Sequence, residues 1–370
     1  MKIAIITHPL RHNYGGILQN YALQQVLKGM GHDVTTLEII KIEGLPFKRK
    51  VILFIRYLFY LCLDKNGRFL HIWKGISTEQ ILSEETWKFV RTHIKEKRII
   101  GYPKEKDYSV YIVGSDQVWR PRYFNIDVAF LNFTTGFSNI KRVAYAASFG
   151  TDSWEFNEQQ TQKCSRLLSH FDKTSVREKS GIDLCKKYLK TDTIQVLDPT
   201  LLLYKEDYIK NLGLETVPQS KGNLFFYYLD SNPYKMDVLS QLEKELNGKA
   251  FTVNSKVEKI DAPLNERIQP PIEHWLRAFI DAEFIITDSF HGCVFSMIFN
   301  KPFIVIVNID RGQSRFNSLL DMTAQQYRMF NEGCSISITP EILKCPDINI
   351  ERQKNISLNF LREVCPPILY

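Results

Sequence analysis

The segment from Ile285 to Ile304 limits the possible folds of this chain more than any other part of its sequence. Residues 282–286 form a short apolar run, as expected of a parallel β-strand that is covered on both faces. Apolar residues then recur at helical spacing from Val294 to Phe299, and Pro302 ends this predicted helix before a second apolar run at 303–307. The segment therefore predicts one βαβ unit of an α/β fold.

Polar residues occupy the turn between the strand and the helix of this unit. They are Asp288, Ser289, His291 and Gly292. In an open parallel sheet, ligands bind beyond the carboxyl ends of the strands, and the unpaired N–H groups of the next helix favour an anion. We therefore expect Ser289, His291 and Gly292 to contact an anionic ligand. The alternative is that Ser289 only caps the helix and that His291 is a packed core residue.

The composition is that of a globular protein: of 370 residues, 44% are hydrophobic and 24% are charged. This length suits two domains of ordinary size. The seven cysteines are odd in number and contain no C-x-x-C pair, which favours neither a disulfide framework nor a structural zinc site. Residues 1–8 enter a predicted strand without the apolar core of a signal peptide, so we expect a cytoplasmic protein.

The net charge of +7 comes from one segment. Residues 41–106 contain 15 of the 48 Lys and Arg but only seven of the 41 Asp and Glu, a local charge of +8. Within it, residues 48–63 are basic and rich in apolar side chains, but the run is too short and too charged at Arg56 to span a bilayer. It either contacts the inner face of an anionic membrane or forms a core helix. Since no nucleic-acid-binding motif accompanies the charge, we expect no nucleic-acid partner.

The first 40 residues predict a strand at 2–7, a helix that runs to Gly31 and a second strand at 34–39. The loop at 8–16 lacks the G-x-G-x-x-G fingerprint of a dinucleotide site. Its two adjacent glycines would nevertheless let a ligand approach the backbone where the helix starts. The candidate cleft residues of this segment are Asn13, Gly15, Gly16 and Gln19. The alternative is that the polar side chains among them are only solvated.

Two further predicted strands end in polar residues. A strand at 109–113 is followed at once by a polar turn. Its residues Ser115, Asp116 and Gln117 either form a helix cap or line a pocket that holds hydroxyl groups. A later short strand ends at Arg177, which is either a surface ion pair or, at the ligand edge, a planar fork for a carboxylate or phosphate.

The second half of the chain repeats the alternation of strands and helices. We therefore predict an α/β fold with two Rossmann-like domains that face each other across a cleft. The predicted N-terminal domain is 1–200, with a basic and apolar insertion at about 41–106, and the predicted C-terminal domain is 201–345. Residues 346–370 contain a helix that we expect to pack back on the N-terminal domain.

Five motifs follow one another between residues 13 and 292. They are Asn13-Tyr-Gly-Gly-Ile-Leu-Gln-Asn-Tyr-Ala-Leu-Gln24, Gly114-Ser-Asp-Gln-Val-Trp119, Ser175-Val-Arg-Glu-Lys-Ser-Gly181, Leu197-Asp-Pro-Thr200 and Thr287-Asp-Ser-Phe-His-Gly292. Together and in this order, they resemble the polysaccharide pyruvyl transferase family. The resemblance implies a fold similar to that of GT-B glycosyltransferases. It also implies transfer of a pyruvyl group from phosphoenolpyruvate to a diol of a sugar, which leaves a cyclic ketal and phosphate.

The resemblance assigns the donor site to a histidine before a glycine and to arginines, which match His291 and Arg177. Arg311 and Arg315 follow the neighbouring strand, and we add them as donor contacts. The carboxylate and phosphate of phosphoenolpyruvate need arginine forks and helix N–H groups. Proton transfer to the enol methylene and from two hydroxyls needs an acid and a base, for which we expect His291 with Asp116 as its partner. The donor is a substrate, and we expect neither a metal nor a cofactor.

Two positions depart from the family pattern. Cys293 follows the His-Gly pair where a Thr is usual, and Arg120 follows the Trp where an Asn is usual. The change at Arg120 leaves the acceptor sugar undetermined beyond a saccharide of the cell envelope or an exopolysaccharide, free or on a lipid carrier. Two other functions are compatible with the sequence: a glycosyltransferase with a nucleotide-sugar donor, and a non-catalytic saccharide-binding protein.

Overall fold

The first half of the chain forms a seven-stranded parallel sheet. The computed structural model describes residues 1–40, 48, 51–52, 55, 81–257, 261–307 and 313–368. The strands of the first sheet are Lys2–Ile6 (β1), Asp33–Ile40 (β2), Glu96–Ile100 (β3), Val110–Val113 (β4), Lys141–Ala147 (β5), Lys173–Val176 (β6) and Ile194–Gln195 (β7). Their spatial order is β3-β2-β1-β4-β5-β6-β7. The order reverses between β1 and β4, and ligands of open parallel sheets bind at such a point.

Helices and short turns connect these strands. The helices are Tyr14–Gly29 (α1), Glu84–His93 (α2), Ile126–Ala129 (α3), Glu158–Leu168 (α4) and Lys179–Leu184 (α5), which continues as a π-helical turn at Cys185–Leu189. Short 3₁₀ turns lie at Glu105–Asp107, Asn132–Thr134 and Pro199–Leu202. Strand β4, in the middle of the sheet, is buried along its whole length, as expected from its apolar sequence.

The second sheet has five parallel strands. They are Leu224–Tyr227 (β8), Ala250–Phe251 (β9), Phe284–Thr287 (β10), Phe303–Val307 (β11) and Met329–Asn331 (β12), in the order β12-β11-β10-β8-β9. The helices of this half are Lys205–Asn211 (α6), Pro233–Glu245 (α7), Leu264–Arg267 (α8), Ile272–Asp281 (α9), Phe290–Ile298 (α10), Gln313–Met322 (α11) and Glu351–Val364 (α12), with 3₁₀ turns at Leu214–Thr216 and Gln326–Arg328. The chain therefore has two Rossmann-like α/β units in the GT-B arrangement, as predicted.

An apolar core continues from the first unit into the second. The ring of Tyr14, at the start of α1, lies 5.6 Å from the ring of Trp275 in α9, and its hydroxyl donates a hydrogen bond to the Pro270 carbonyl at 2.6 Å. The ring of Tyr21, also in α1, likewise lies 6.4 Å from that of Tyr208 in α6. Because aromatic side chains from both units pack together, the start of α1 is held against the second unit.

The last helix, α12, returns to the first sheet. The ring of Phe360 lies 6.0 Å from that of Tyr145 in β5, and the Ser357 hydroxyl accepts a hydrogen bond from the Leu197 N–H at 2.9 Å. The Lys141 ammonium also donates to the Val364 carbonyl at 2.8 Å. The chain thus crosses between the two units twice, near residue 200 and again before α12.

The element predictions differ from the structure at the sheet edges. The predicted strand at 303–307 has the observed bounds of β11, but β3 and β12 were not predicted at all. Helix α2 ends at His93, three residues before Glu96 pairs with Thr36 as the first residue of β3. Both missed strands are short and partly exposed, so they lack the continuous apolar run of a buried strand.

The predicted insertion at 41–106 is described only in part. Its later residues supply α2 and the edge strand β3, which belong to the first unit. The membrane-contact prediction for 48–63 lies outside the described residues, except at four exposed positions: Lys48, Val51, Ile52 and Ile55. Among the helices that the structure describes, none is both long and apolar enough to cross a bilayer.

Candidate active site between the two units

The predicted polar residues of the two units meet where α10 begins. Ser289 has an extended backbone and caps α10, its hydroxyl accepting a hydrogen bond from the Gly292 N–H at 3.2 Å. The next two residues, Phe290 and His291, are each only 6% exposed and lie beside the carboxyl edge of the first sheet. The cap therefore orients the first turn of α10 toward the other unit.

His291 is packed against the glycine that opens α1. A Cβ atom on Gly15 would lie 2.0 Å from Nδ1 of His291, which is closer than any real contact of that kind. Only glycine at this position allows the ring to lie where it does. On the other side of the ring, Nε2 lies 3.5 Å from Oδ2 of Asp198. A histidine from the second unit is thus enclosed by backbone and carboxylate groups of the first.

Asp198 is the centre of this arrangement, although in the sequence it stood out only as part of the motif Leu197-Asp-Pro-Thr200. Its Oδ1 accepts hydrogen bonds from the Thr200 N–H at 3.0 Å and the Thr200 hydroxyl at 2.7 Å. Its Oδ2 accepts from the Ser115 hydroxyl at 3.0 Å and from Nη1 of Arg177 at 2.9 Å. Burial opposes the charge, but His291, Arg177 and Thr200 outweigh it and hold the pKa of Asp198 well below its ordinary value.

Arg177 is buried and surrounded by carboxylates. Besides its contact with Asp198, its Nη2 lies 3.7 Å from Asp116 and its Nε lies 4.0 Å from Glu178. Burial disfavours its charge, but these three carboxylates outweigh burial and raise the pKa of Arg177. Its Nε and Nη2 atoms are buried and make no hydrogen bond within the described part of the chain. A buried guanidinium with two such atoms is suited to bind an anion.

Asp116 follows β4 with a backbone φ of +80°. This left-handed conformation is rare for residues other than glycine and costs about 1–3 kcal/mol. Its carboxylate lies 3.5 Å from the Asn13 amide and 3.7 Å from Arg177. Burial raises its pKa, but the neighbouring His8, Arg177, His291 and Arg315 charges outweigh burial, so the net pKa is lowered. Asp116 is therefore an ionised hydrogen-bond acceptor beside the cluster, while Asp198 is the carboxylate that contacts His291.

A second strained residue lies in the neighbouring strand. Ala146 has a φ of +51°, and the pairing of β5 with β6 shifts register between Ala144 and Ala147. The Ser175 hydroxyl bridges the irregularity, accepting from the Ala146 N–H and donating to the Ala144 carbonyl. This bulge redirects the end of β5 so that Ala147 pairs with Asp116 beyond the regular strands.

Glu178 is fully buried and was not among the site residues predicted from the sequence. One of its carboxylate oxygens, Oε1, accepts hydrogen bonds from the Ser148 hydroxyl and from the N–H groups of Phe149 and Gly150, at 2.8–3.0 Å. The other oxygen, Oε2, lies 4.0 Å from Arg177. Its only sequence signal was its place directly after Arg177 at a strand end. Glu178 fixes the loop after β5 relative to the guanidinium.

The candidate cleft residues near α1 take different positions. Asn13 is exposed and caps α1 by accepting from the Gly16 N–H at 3.1 Å. Gly16 lies against Asn13 and Asp116, where an added Cβ would be 3.2 Å from the Asn13 amide. Gln19 does not line the cleft: it is 1% exposed, and its amide donates to Thr7 and to the Gly16 carbonyl. The Gln19 amide is therefore used within the first unit.

Ser115 and Gln117, in the polar turn after β4, have different surroundings. Ser115 is fully buried and holds Asp198, so it is not an acceptor contact. Gln117 is partly exposed and accepts a hydrogen bond from Nη1 of Arg120 at 3.1 Å. Arg120 in turn forms two 3.0 Å hydrogen bonds with Glu155, which offsets its charge. The departure from the family pattern at Arg120 therefore places a neutralised ion pair beside Gln117.

Two predicted donor contacts at the start of α10, Ser289 and Gly292, have structural roles. The Ser289 hydroxyl is used by its own helix cap. A Cβ atom on Gly292 would lie 2.3 Å from Oγ1 of Thr287, so this glycine is required for close packing of α10 on β10. Neither observation places an anion on the side chain of Ser289 or on Gly292. The residues of α10 that contact the charged cluster are Phe290 and His291.

The two arginines predicted beyond β11 have separate outcomes. Arg311 lies outside the described residues. Arg315 lies on α11 with its Cζ atom 5.7 Å from the centre of the Phe290 ring. Burial and the neighbouring Arg177 charge lower the pKa of Arg315 to about 10, which leaves it charged at neutral pH. The described residues contain no group of three or more His, Cys, Asp or Glu side chains arranged to hold a metal ion.

Residues 13–311 match the polysaccharide pyruvyl transferase family. The chain belongs to this family. The matched region starts at Asn13 and includes Asp116, Arg177, Asp198 and His291, so every member of the charged cluster except Arg315 lies inside it. A search of curated proteins found no match to the sequence.

Solved structures of sugar-nucleotide enzymes resemble this member of the family over nearly its whole length. UGT89C1 from Arabidopsis thaliana, complexed with UDP-L-rhamnose, is 9% identical, with 98% of this chain and 93% of that chain covered at a TM-score of 0.47. The UDP-GlcNAc 2-epimerase from Methanocaldococcus jannaschii is 13% identical, with 96% and 98% covered at a TM-score of 0.46. Such scores carry no information about the reaction of this pyruvyl transferase family member.

Proposed function

We propose that this protein transfers a pyruvyl group from phosphoenolpyruvate to two hydroxyl groups of a sugar, forming a cyclic ketal and releasing phosphate. The observation that carries the proposal is the buried cluster of Arg177, Asp198 and His291 between the two units of a chain in this family. It combines a guanidinium for an anion, a ring that can transfer protons and a carboxylate that contacts both.

The guanidinium groups of the cluster support an anionic donor through their hydrogen-bond donors. Arg177 and Arg315 are charged, and they face three carboxylates, Asp116, Glu178 and Asp198. Free Nε and Nη2 atoms on Arg177 leave hydrogen-bond donors for a donor carboxylate or phosphate.

The reaction proposed here has two steps at the central carbon of phosphoenolpyruvate, an addition and then a displacement. The first sugar hydroxyl adds to that carbon, its proton leaves, and the methylene gains one proton to become a methyl group. The second hydroxyl then displaces phosphate, which departs with the bridging oxygen and, in the net balance, with the second hydroxyl proton. His291 is proposed to give the proton to the methylene, and Asp198 to hold its ring in place. Ionised Asp116 is proposed to accept a hydrogen bond from an acceptor hydroxyl.

The acceptor side is proposed to include the exposed Asn13 and the partly exposed Gln117, next to Asp116. Because Arg120 is paired with Glu155, this wall presents amides and a compensated ion pair, which suit the hydroxyls of a neutral sugar. We propose a saccharide of the cell envelope or an exopolysaccharide as the acceptor.

We also propose that the acceptor is presented on a lipid carrier and that residues 48–63 contact the inner face of the membrane. Val51, Ile52 and Ile55 are 38%, 48% and 45% exposed, and with exposed Lys48 they have the spacing of one helix face. Basic residues at 48–50 complement an anionic surface. Sedimentation with anionic and neutral vesicles at low salt tests this: equal recovery with both, or with neither, contradicts it.

The donor is tested by ligand-induced stabilisation. Saturating phosphoenolpyruvate should raise the melting temperature, because a ligand that binds only the folded state stabilises it, by about 2.7 kcal/mol at 100 times its Kd. Nucleotide sugars should have no such effect. Phosphate release with saccharide acceptors then tests turnover. A rise in melting temperature with nucleotide sugars alone would support a glycosyltransferase. Saccharide binding without phosphate release would support a non-catalytic binding protein. Either result contradicts the proposal.

A further inference from the structure

Phe290 lies beside two arginines that come from different units. The centre of its ring is 4.5 Å from Cζ of Arg177, which follows β6, and 5.7 Å from Cζ of Arg315 on α11. The ring is 6% exposed and is held by two further aromatic contacts, at 5.3 Å to His291 and 6.0 Å to Phe316. A single rigid ring therefore contacts both guanidinium groups.

This proximity needs a physical reason, because the two guanidinium groups repel each other. After burial, the Arg177 charge is the next largest cause that lowers the pKa of Arg315. An aromatic face attracts cations, since its quadrupole places negative charge above and below the ring. The carboxylates of Asp116, Glu178 and Asp198 offset further charge around Arg177. Phe290 thus favours the close placement of the two like charges.

We propose that Phe290 is a positioning residue that holds Arg177 and Arg315 as one clamp for the phosphate group of the donor. This inference rests on the proposed function. It adds that the two arginines bind the phosphate group of the donor and not its carboxylate. A phosphate dianion has three terminal oxygens and accepts hydrogen bonds from two arginine forks at once, whereas a carboxylate has two oxygens and matches one fork. The buried Nε and Nη2 of Arg177 are the atoms available for this contact.

The test compares three phenylalanine variants with inorganic phosphate and phosphoenolpyruvate as probes, by titration calorimetry. Phe290→Leu removes the ring face and should weaken both ligands by about tenfold, within the range for a desolvated cation over a ring. Phe290→Tyr keeps the face and should stay within about threefold of wild type. Phe295→Leu makes the same change in a fully buried residue of the same helix and should leave both affinities unchanged. In turnover assays, Phe290→Leu should raise KM for phosphoenolpyruvate more than it lowers kcat.

The clamp is overturned if the wild-type protein does not bind phosphate, or if Phe290→Leu binds phosphate with normal affinity. It is also overturned if Phe290→Leu and Phe295→Leu lose equal affinity. A loss of affinity in Phe290→Leu for phosphoenolpyruvate alone overturns it as well, because that result would place the donor carboxylate on the arginines. If Phe290→Leu does not fold, Arg315→Lys replaces it, because an ammonium keeps the charge but lacks the fork. Unchanged phosphate affinity in that variant also overturns the clamp. If the wild-type protein binds phosphate but not phosphoenolpyruvate, the proposed function is contradicted. The clamp is then still tested by the phosphate affinities of the variants.

Discussion

The carboxyl edges of the two parallel sheets each contain a buried carboxylate paired with a cation, but the partners of these charges differ. At the first sheet, Arg177 and Asp198 lie beside His291 of the other unit, and Arg177 keeps two buried atoms without hydrogen bonds among the described residues. At the second sheet, Asp288 accepts from the Lys235 ammonium at 2.6 Å and from two backbone N–H groups of its own unit. Burial raises the pKa of Asp288, whereas the pKa of Asp198 is lowered.

The difference shows that a buried carboxylate at a strand end does not by itself indicate a site. Lys235 also donates to the Asp230 carbonyl at 2.8 Å, so the charges of the second edge are neutralised within one unit. The first edge draws its partners from both units and retains donors for an anion. We therefore expect substitutions at the first edge to change activity and matched substitutions at the second to change stability.

The largest effect is expected from His291→Asn. The amide keeps part of the polar contact but cannot transfer a proton, so turnover should fall by roughly 10²–10⁴-fold with a smaller change in donor affinity. Phosphate release and phosphoenolpyruvate binding are measured for this one variant. Near-normal turnover would remove His291 from the acid role, and a loss of affinity alone would make it an anion ligand.

The next effect is expected from a pair of glycines in α1. Gly15→Ala places a Cβ atom 2.0 Å from Nδ1 of His291 and must displace the ring, which should lower turnover by about 10²-fold. Gly16→Ala meets its nearest atom, in Asn13, only at 3.2 Å, so a small shift of that side chain accommodates it. Turnover and melting temperature are measured for both. Similar turnover in the two variants would show that His291 does not depend on Gly15.

A matched pair of carboxylates tests the comparison of the two edges directly. Asp198→Asn keeps the shape but loses the charge beside His291 and Arg177, and turnover should fall by about 10–100-fold, as for other residues that orient a functional group. Asp288→Asn leaves Lys235 buried without its main partner, which should lower the free energy of unfolding by about 3–5 kcal/mol with normal turnover of the folded protein. Reversed outcomes would place the active site at the second edge.

The smallest effect is expected from Ser289→Ala. Because the Ser289 hydroxyl caps α10, its removal should lower the free energy of unfolding by about 1 kcal/mol in denaturant titrations. Donor affinity should stay near the wild-type value. A large loss of phosphoenolpyruvate affinity at unchanged stability would instead return Ser289 to the donor site predicted from the sequence.

The sequence predicted the α/β alternation and the strand ends that carry polar residues. Buried parallel strands such as β4 and β11 are continuous apolar runs, and the polar residues after them follow by chain order. It did not predict β3 and β12, because short, partly exposed edge strands have no such run and depend on a neighbour for pairing. The inward position of Gln19 was also missed, since a polar side chain can satisfy its amide inside the fold.

What the sequence by itself determined is the set of chemical groups at the two sheet edges and their place after strands or before helices, including Asp116, Arg177 and His291. Only the tertiary structure decided which of them touch. The contact of Asp198 with His291 joins residues 93 positions apart, and the packing of the His291 ring on Gly15 joins residues still farther apart. Such contacts depend on how the two units pack together through their shared core. The spacing of apolar residues and the turn residues are local patterns, and they do not predict that packing.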